Sequence, residues 1–227
     1  MAGVSRIQYP PNIRVIRVMC SGRVDPNFVF SAFIFGYDAV LVLGCHPGDC
    51  HYIIGNYHTE KKMNRTKKLL EIAGIKSERL FLDWVSAAEG ARFAQIVSSF
   101  TEKVKGLGPF KKDSLEKHLE AAKATVQSER IRWLLGKEFE LLQEGNVFGD
   151  KISASELDLL IDNALEEEYR KNLVSLILKE RPLSCKEIAA LTGFSSMVIS
   201  SCLIDLEESG EVSLDRFEGK TPKYIAR

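Results

Sequence analysis

The chain contains 227 residues, of which 45% are hydrophobic and 27% charged, and its 31 basic side chains balance 31 acidic ones. This composition is typical of a soluble globular protein and lacks the basic excess that nucleic-acid binding usually requires. No apolar run reaches the roughly 18 residues of a membrane span, and the N-terminal stretch MAGVSRIQYPPN lacks the apolar core of a signal peptide. We therefore expect a cytoplasmic protein without a membrane span, in which closely spaced cysteines indicate metal or redox chemistry more often than a structural disulfide.

The charge is distributed unevenly along the chain. Residues 1–110 carry 14 Lys and Arg against 9 Asp and Glu, whereas residues 111–227 carry 17 against 22. The first half therefore has a net charge of +5 and the second half a net charge of −5. This difference predicts at least two domains, and neither is basic enough to indicate a nucleic-acid partner.

The first half alternates predicted strands and helices. A β-branched strand is predicted over Ile13–Met19, and Asp25 followed by Pro26 marks the start of a helix that ends near Gly36. The next elements are a strand at Ala39–Leu43, a helix at Asn56–Ala73 closed by Gly74, a strand at Arg79–Val85 and a helix at Ala87–Lys105. This order favours an α/β fold with a flavodoxin-like, doubly wound parallel sheet. Since such a sheet usually has about five strands, we expect it to be incomplete at the N-terminus.

The second half is predicted to be helical. The Gly- and Pro-containing stretch Lys105–Lys112 indicates a linker. We therefore predict a domain at 1–108, a linker at 109–112, a helical connector at 113–163 and a winged-helix-like domain at 164–227. The predicted helices are Ser114–Gln143, Ala154–Arg170, Leu173–Lys179, Cys185–Leu191 and Ser196–Ser209, followed by hairpin strands at Val212–Leu214 and Pro222–Ala226. Three helices and a small hairpin are typical of the winged-helix variant of the helix-turn-helix.

Three cysteines of the first half fall at one predicted edge of the sheet. Cys20 ends the first predicted strand, Cys45 ends the second, and Cys50 returns to the same edge after a turn that contains Pro47 and Gly48. Neighbouring parallel strands lie about 4.8 Å apart, so the three thiols are expected to converge. Thiols beside the N–H groups of helix starts suit an anionic iron–sulfur cluster.

The number of thiols leaves alternatives open. Clusters normally take four cysteines, and the first domain has three. His46 or His51 can complete a site, because histidine also ligates iron and zinc. An exchangeable disulfide between Cys45 and Cys50 is another interpretation, and cysteines buried as small hydrophobic side chains are the simplest one. Arg23, just after Cys20, either balances cluster charge, docks a partner or is a solvated arginine at a helix start.

The winged-helix-like region raises a second function, in transcription. Its predicted recognition helix, SSMVISSCLIDLEES, contains no Lys or Arg and three acidic residues. Phosphate contacts from Lys and Arg dominate DNA affinity, so we expect this module to contact protein rather than DNA. Cys185 and Cys202 fall on apolar helix positions and are interpreted as core residues.

Two segments, VMCSGRVDPNFV and VLVLGCHPGDCHYIIGNY, resemble the delta subunit of methyl-viologen-reducing hydrogenase. The resemblance covers residues 5–108 and includes the lead-in RIQYPP and the segment WVSAAEG. It implies a [2Fe–2S] cluster that passes electrons to a flavin-containing, heterodisulfide-reductase-like subunit. It also implies ligation by Cys20, Cys45 and Cys50. From their positions beside these cysteines, we add Arg23 and His46 as candidate cofactor contacts.

The chain departs from that family in two ways. Family members begin with a further strand and a cysteine-containing Asn-Trp-Cys loop, whereas this chain starts just after that point, and residues beyond 110 form an extension. We therefore hypothesise a truncated reading of a longer gene, in which an in-frame UGA codon for selenocysteine was read as a stop. We predict an electron-transfer subunit that connects a hydrogenase or formate dehydrogenase to the flavoprotein. The alternative is a redox-sensing regulator with a DNA- or protein-binding winged helix.

Overall fold

The computed structural model describes residues 7–227, so Met1–Arg6, where the family-like lead-in begins, lie outside the described residues. The elements of the first half are α1 (Pro26–Ile34), β1 (Val40–Gly44), α2 (Gly55–Ile72), β2 (Leu80–Trp84) and α3 (Gly90–Leu107). Those of the second half are α4 (Glu116–Gln127), α5 (Glu129–Gln143), α6 (Ala154–Leu178), α7 (Cys185–Thr192), α8 (Ser196–Glu208), β3 (Val212–Glu218) and β4 (Thr221–Ala226). Short 3₁₀ turns occur at Ser21–Arg23, Ser77–Arg79 and Lys112–Leu115.

The sheet of the first half consists of β1 and β2, which pair in parallel from Val40 opposite Leu80 to Gly44 opposite Trp84. The connection between them is helix α2, as expected for a parallel pair. The mixed α/β class is thus confirmed. The flavodoxin-like, doubly wound arrangement stays a prediction, because the described residues form a parallel sheet of two strands.

The strand predicted over Ile13–Met19 is wrong. This segment lies within the described part of the chain and forms no regular element there. The side chains of Ile16 and Met19 are 85% and 86% exposed. β-Branched residues favour a strand only where a neighbouring strand and a packed surface receive them. Here the segment is not paired to β1 or β2, so its sequence preference has no packing to support it.

Local signals at the helix ends act as predicted. Asp25 caps α1 by accepting a hydrogen bond from the Asn27 backbone N–H at 2.9 Å, and Pro26 occupies the first turn. Gly36 and Gly74 have φ angles of +88° and +74°, the left-handed conformation that ends a helix. These ends set the directions in which the chain enters β1 and the turn before β2.

Two helix boundaries in the second half differ from the prediction. The single helix predicted over Ser114–Gln143 is broken at Ser128, whose extended backbone and hydroxyl cap the start of α5. Conversely, the helices predicted at Ala154–Arg170 and Leu173–Lys179 form one helix, α6. No helix-breaking residue separates the two predicted segments, and the buried stripe continues across them through Tyr169, Leu173 and Ile177.

The C-terminal part contains three helices and a hairpin, as predicted. The end of α6 is followed by α7 and α8, and β3 pairs antiparallel with β4. Leu183 bridges to Tyr224, which fastens the hairpin to the start of α7. These elements agree with the predicted order; the winged-helix name itself stays a prediction.

A continuous hydrophobic core joins the two halves, with α1 packed on α4 and α2 packed on α5 and α6. Where α2 packs on α5 and α6, Arg65 of α2 has a side chain that is only 11% exposed. Its guanidinium donates to Glu138 at 2.7 Å and to Asp162 at 3.1 Å, and it also contacts Asp158. We call these four side chains the Arg65 cluster. The predicted domain boundaries stay predictions, but α2 is anchored directly to the helices that follow residue 112.

Among residues 7–227, no single helix is both long and apolar enough to cross a membrane, although the pair α7 and α8, bent by 116°, passes on length and composition alone.

Candidate functional site

The candidate site lies where β1 ends and α2 begins. Cys45 directly follows β1, Cys50 closes the loop before α2, and Cys20 precedes the 3₁₀ turn at Ser21–Arg23. The Sγ atoms of Cys20 and Cys50 are 3.7 Å apart. Burial raises the pKa of Cys45, and so do the neighbouring sulfurs of Cys50 and Cys20. The structure therefore brings these three thiols together, and their role as metal ligands stays a prediction.

Backbone N–H groups of the loop and of the start of α2 lower the pKa of Cys50. Burial raises the pKa of the Cys50 thiol, but backbone N–H bonds from Tyr52, Asn56 and Gly55 and a bond from the Cys20 thiol outweigh burial and hold the pKa below its ordinary value. The backbone adopts this shape because Ile53 has a φ of +66°, a conformation that costs energy for a β-branched residue. The loop thus favours a negative charge on the Cys50 sulfur at the start of α2.

The pKa of Cys20 is shifted in the opposite direction. Burial and the neighbouring Cys50 raise the pKa of Cys20, although the Gly22 backbone N–H lowers it by donating to the sulfur at 3.3 Å. The two sulfurs lie within hydrogen-bonding distance at 3.7 Å, and either thiol can act as the donor. The pair therefore combines two neighbouring thiols whose pKa values are shifted in opposite directions.

Two glycines let the backbone approach these sulfurs. A Cβ atom on Gly55 would lie 2.4 Å from Cys20 Sγ and 3.1 Å from Cys50 Sγ, and a Cβ on Gly22 would lie 2.9 Å from the Gly55 carbonyl O. No side chain fits at those distances without moving the thiols or the backbone. Sequence reasoning missed both residues, because the glycine spacing alone does not show which backbone segments meet.

His46 is turned toward Glu89. Its Nε2 atom lies 2.6 Å from Glu89 Oε2, and that carboxylate also accepts a hydrogen bond from the Ser86 backbone N–H at 2.7 Å. The Ser86 N–H and the His46 ring hold the pKa of Glu89 below its ordinary value. Asn56 donates its side-chain amide to the His46 carbonyl at 2.8 Å. These contacts engage one ring nitrogen of His46 in tying the loop after β1 to the loop after β2, a role that the sequence did not predict for Glu89 or Asn56.

The remaining predicted candidates lie at the rim. Arg23 is exposed at the end of the 3₁₀ turn and borders a cleft of about 650 Å³ beside Cys20. The cleft is also lined by Lys62 of α2 and Arg132 of α5. His51 is exposed on the outer side of the loop. Cys185 and Cys202 belong to α7 and α8, outside this site.

An exposed apolar surface adjoins the thiols. It consists of Met19, Tyr52, Ile53 and Ile54, which we call the apolar collar; their exposed fractions are 86%, 51%, 78% and 38%. Clustered apolar side chains of this size at a protein surface usually mark a site of contact with another molecule. Three of the four also line the cleft beside Cys20.

The donor set fits an iron–sulfur group in chemical type. Three soft thiols converge, and the Gly22 backbone N–H donates to the Cys20 sulfur, a kind of contact that tunes iron–sulfur clusters. Within residues 7–227, no group of three or more His, Cys, Asp or Glu side chains is arranged around the position of a single metal ion. The fit to a cluster therefore rests on the type of donor and on the N–H groups around the sulfurs.

Comparisons with known proteins match the same half of the chain. The family described as methyl-viologen-reducing hydrogenase, delta subunit, matches residues 1–108. The vhc iron-sulfur subunit of an F420-non-reducing hydrogenase from Methanococcus voltae is 48% identical over 108 residues, covering 48% of this chain and 75% of that protein. The iron-sulfur subunit of an F420-non-reducing hydrogenase from Archaeoglobus profundus is 48% identical over 111 residues, covering 49% of this chain and 81% of that protein.

A larger protein contains a related segment. That protein is one of the subunits of the ferredoxin/F(420)H(2)-dependent CoB-CoM heterodisulfide reductase of Methanosarcina acetivorans. The two sequences are 47% identical over 109 residues, covering 48% of this chain but 14% of that protein. The same unit therefore occurs both in small iron–sulfur subunits and inside a large protein of a heterodisulfide reductase. The family match ends at residue 108 of this chain, before helices α4 to α8.

Proposed function

This chain belongs to the family of the methyl-viologen-reducing hydrogenase delta subunit, and from that premise we propose that it is an iron–sulfur electron-transfer subunit of an oxidoreductase complex. It relays electrons and performs no bond chemistry on a substrate of its own. The observation that carries the proposal is the 3.7 Å approach of the Cys20 and Cys50 sulfurs, with the Gly22 backbone N–H donating to Cys20.

Cys20, Cys45 and Cys50 are the proposed ligands of a [2Fe–2S] cluster. When bound, the cluster supplies one-electron transfer. The loop before α2 supplies N–H groups that stabilise sulfur charge, and Gly55 leaves the space that the sulfurs need. His46 holds the loop in place through Glu89, and Arg23 contributes a positive charge at the rim of the cleft.

The partners we propose are a heterodisulfide-reductase-like flavoprotein and a hydrogenase or formate dehydrogenase. The apolar collar supports the proposal, because an electron-transfer partner must approach the cluster closely and three of the four collar residues line the cleft beside Cys20. Arg23 at the rim of the cleft favours a partner surface that carries acidic side chains, whereas Arg132 is already paired with Asp25 at 3.3 Å. The helices after residue 112 serve as a further docking element.

The redox-sensing regulator has no support from the comparisons. Helix α8, which would enter the DNA groove, has no Lys or Arg between Ser196 and Glu208. Since phosphate contacts supply most of the affinity for DNA, we propose no nucleic-acid partner.

The test is iron and acid-labile sulfide per chain after anaerobic expression, together with the paramagnetic spectrum of the reduced protein. We expect about two iron and two sulfide per chain, with iron lost in Cys20→Ala, Cys45→Ala and Cys50→Ala. Cys185→Ala, in α7, is the matched control and should keep its iron. Wild-type protein without iron, or full iron in all three site variants, would overturn the proposal.

A further inference from the structure

One face of α2 holds the loop that carries Cys20. Gly55, Thr59 and Lys62 are spaced four and three residues apart and therefore share a helix face. We call these three residues the α2 stripe. Its members contact successive parts of the loop at Cys20–Val24, beginning with Gly55, whose missing side chain leaves room for the Cys20 sulfur.

The next two contacts follow in order along the loop. The Thr59 hydroxyl lies 3.0 Å from the Ser21 hydroxyl and 2.8 Å from the Gly55 carbonyl O. The Lys62 ammonium then donates to the carbonyl oxygens of Gly22 and Val24 at 2.6 and 2.9 Å. The loop is thus fastened to α2 at both ends of its 3₁₀ turn.

Lys62 is placed unusually for a lysine. Lysine side chains normally extend their ammonium into water, whereas this one is half-buried. Burial lowers its pKa, and the nearby Asp25 opposes that effect. Its Nζ atom donates to two backbone carbonyls of the loop that carries Cys20. A half-buried ammonium that donates to two carbonyls of one loop indicates a role in that loop's position.

We propose that Lys62 is a positioning residue that holds Cys20 opposite Cys50. Two hydrogen bonds from a charged donor fix the carbonyls that flank Arg23, and the first of these carbonyls belongs to Gly22, whose own N–H donates to the Cys20 sulfur. Without the ammonium, Thr59 provides the remaining side-chain hydrogen bond from the α2 stripe to the 3₁₀ turn. The functional importance of placing Cys20 opposite Cys50 rests on the proposed cluster function. The placement itself is measurable in the metal-free protein.

The measurement is the equilibrium between the Cys20–Cys50 dithiol and its disulfide in a glutathione buffer. In the reaction, oxidised glutathione accepts two electrons and becomes two reduced molecules, while the two thiols lose their protons and form one sulfur–sulfur bond. The constant reports how often the two sulfurs meet. A Cys45→Ser background removes the competing disulfide with Cys50.

Lys62→Met should lower this constant about tenfold, the factor expected for loss of a hydrogen bond to a charged group. Lys62→Arg should restore it to within about threefold of the parent protein, because the guanidinium also donates to carbonyls. Thr59→Val, which removes the middle contact with little change in shape, should lower it by a smaller factor. Lys67→Met, on the same helix and outside the stripe, is the matched control and should leave it unchanged.

A constant for Lys62→Met within about twofold of the parent would overturn the proposal, and so would an equal fall in Lys67→Met. If Lys62→Met does not fold, Thr59→Val and Lys62→Arg are compared with the parent instead. The proposal is then refuted if the equilibrium constant does not fall in Thr59→Val and is not retained in Lys62→Arg. Because no iron enters this experiment, a wild-type protein that fails to bind iron sinks the proposed function without affecting this result.

Discussion

The Glu89 carboxylate lies 2.6 Å from His46 Nε2 and joins the loops that follow the two parallel strands. The loop after β1 carries Cys45 and Cys50, and the loop after β2 leads into α3. The contact therefore fixes one side of the loop between β1 and α2, which we call the thiol loop, from the loop after β2. Asn56 fixes the other side from α2 by donating to the His46 carbonyl. The thiol loop is held on two sides by side chains other than the cysteines themselves.

Glu89→Ala should loosen the thiol loop with little effect on global stability, because the pair is more than one-third exposed on both sides. We expect the iron content after buffer exchange to fall while Tm changes only slightly. Glu89→Gln keeps an acceptor for His46 and should retain more iron than Glu89→Ala. Glu102→Ala, which removes an exposed contact with Lys105, is the control for a carboxylate elsewhere. Equal iron in Glu89→Ala and Glu102→Ala would show that the loop needs no such contact.

Gly55→Ala should displace Cys20 or the start of α2. The added Cβ atom would meet the Cys20 sulfur at 2.4 Å, and overpacking of this kind costs about 1–3 kcal/mol. Denaturant unfolding should show this loss, and iron content should fall with it. Gly106→Ala is the matched control, since that glycine lies in α3 with nothing within 4 Å of the added atom. It should be neutral or stabilising by up to about 1 kcal/mol, and a loss of iron there would mean that the Gly55 result is not specific to the thiol loop.

Arg65→Met should destabilise the whole chain by about 3 kcal/mol, since removing one partner of a buried ion pair leaves an uncompensated charge. That charge is Glu138, whose side chain is 1% exposed; Lys61 remains at 3.8 Å and offsets a small part of the loss. The double variant Arg65→Met, Glu138→Leu should recover much of the loss when unfolding is measured in urea. Arg130→Met, which removes an exposed partner of Glu167, should cost about 0.5 kcal/mol or less. Additive single effects in the double variant would contradict the pairing.

Acid should weaken the C-terminal part through Glu187. The Lys223 ammonium, together with the Ser184 hydroxyl and backbone N–H, lowers the pKa of Glu187 from 4.5 to about 2. Because the folded pKa lies below the unfolded one, the stabilisation is complete above the unfolded pKa and is lost as the pH falls toward the folded pKa. The difference in Tm between wild type and Glu187→Gln should therefore shrink as the pH is lowered from about 5 to about 2. A difference that stays constant over this range would refute the pKa shift.

The signals that predicted the fold well were local ones. Asp25 with Pro26, and Gly74, act through backbone geometry within a few residues, so their effect is readable from the sequence. The strand predicted over Ile13–Met19 failed because strand formation depends on a partner that local sequence does not contain. The break at Ser128 had a readable signal, a serine followed by Glu129 at a helix start, inside an otherwise helical pattern.

Sequence analysis identified the cysteines of the candidate site but missed the residues that hold them in place. Cys45 follows a real strand, whereas Cys20 reaches the site from an irregular segment, so its convergence with Cys50 did not come from strand pairing. Gly55 and Lys62 owe their roles to the approach of two backbone segments that are about 35 to 40 residues apart in the chain. Such an approach is a tertiary fact, and residue types alone do not report it.

Two parts of the chain line the cleft beside Cys20. One wall consists of the Cys20 loop and the start of α2, which fall within the family match, and the other consists of Arg132, Leu135 and Gly136 on α5, which fall beyond it. A molecule that reaches Cys20 through this opening touches both parts of the chain at once. Helix α5 therefore helps to set the shape of the opening that leads to Cys20, although it lies outside the part of the chain that the family match covers.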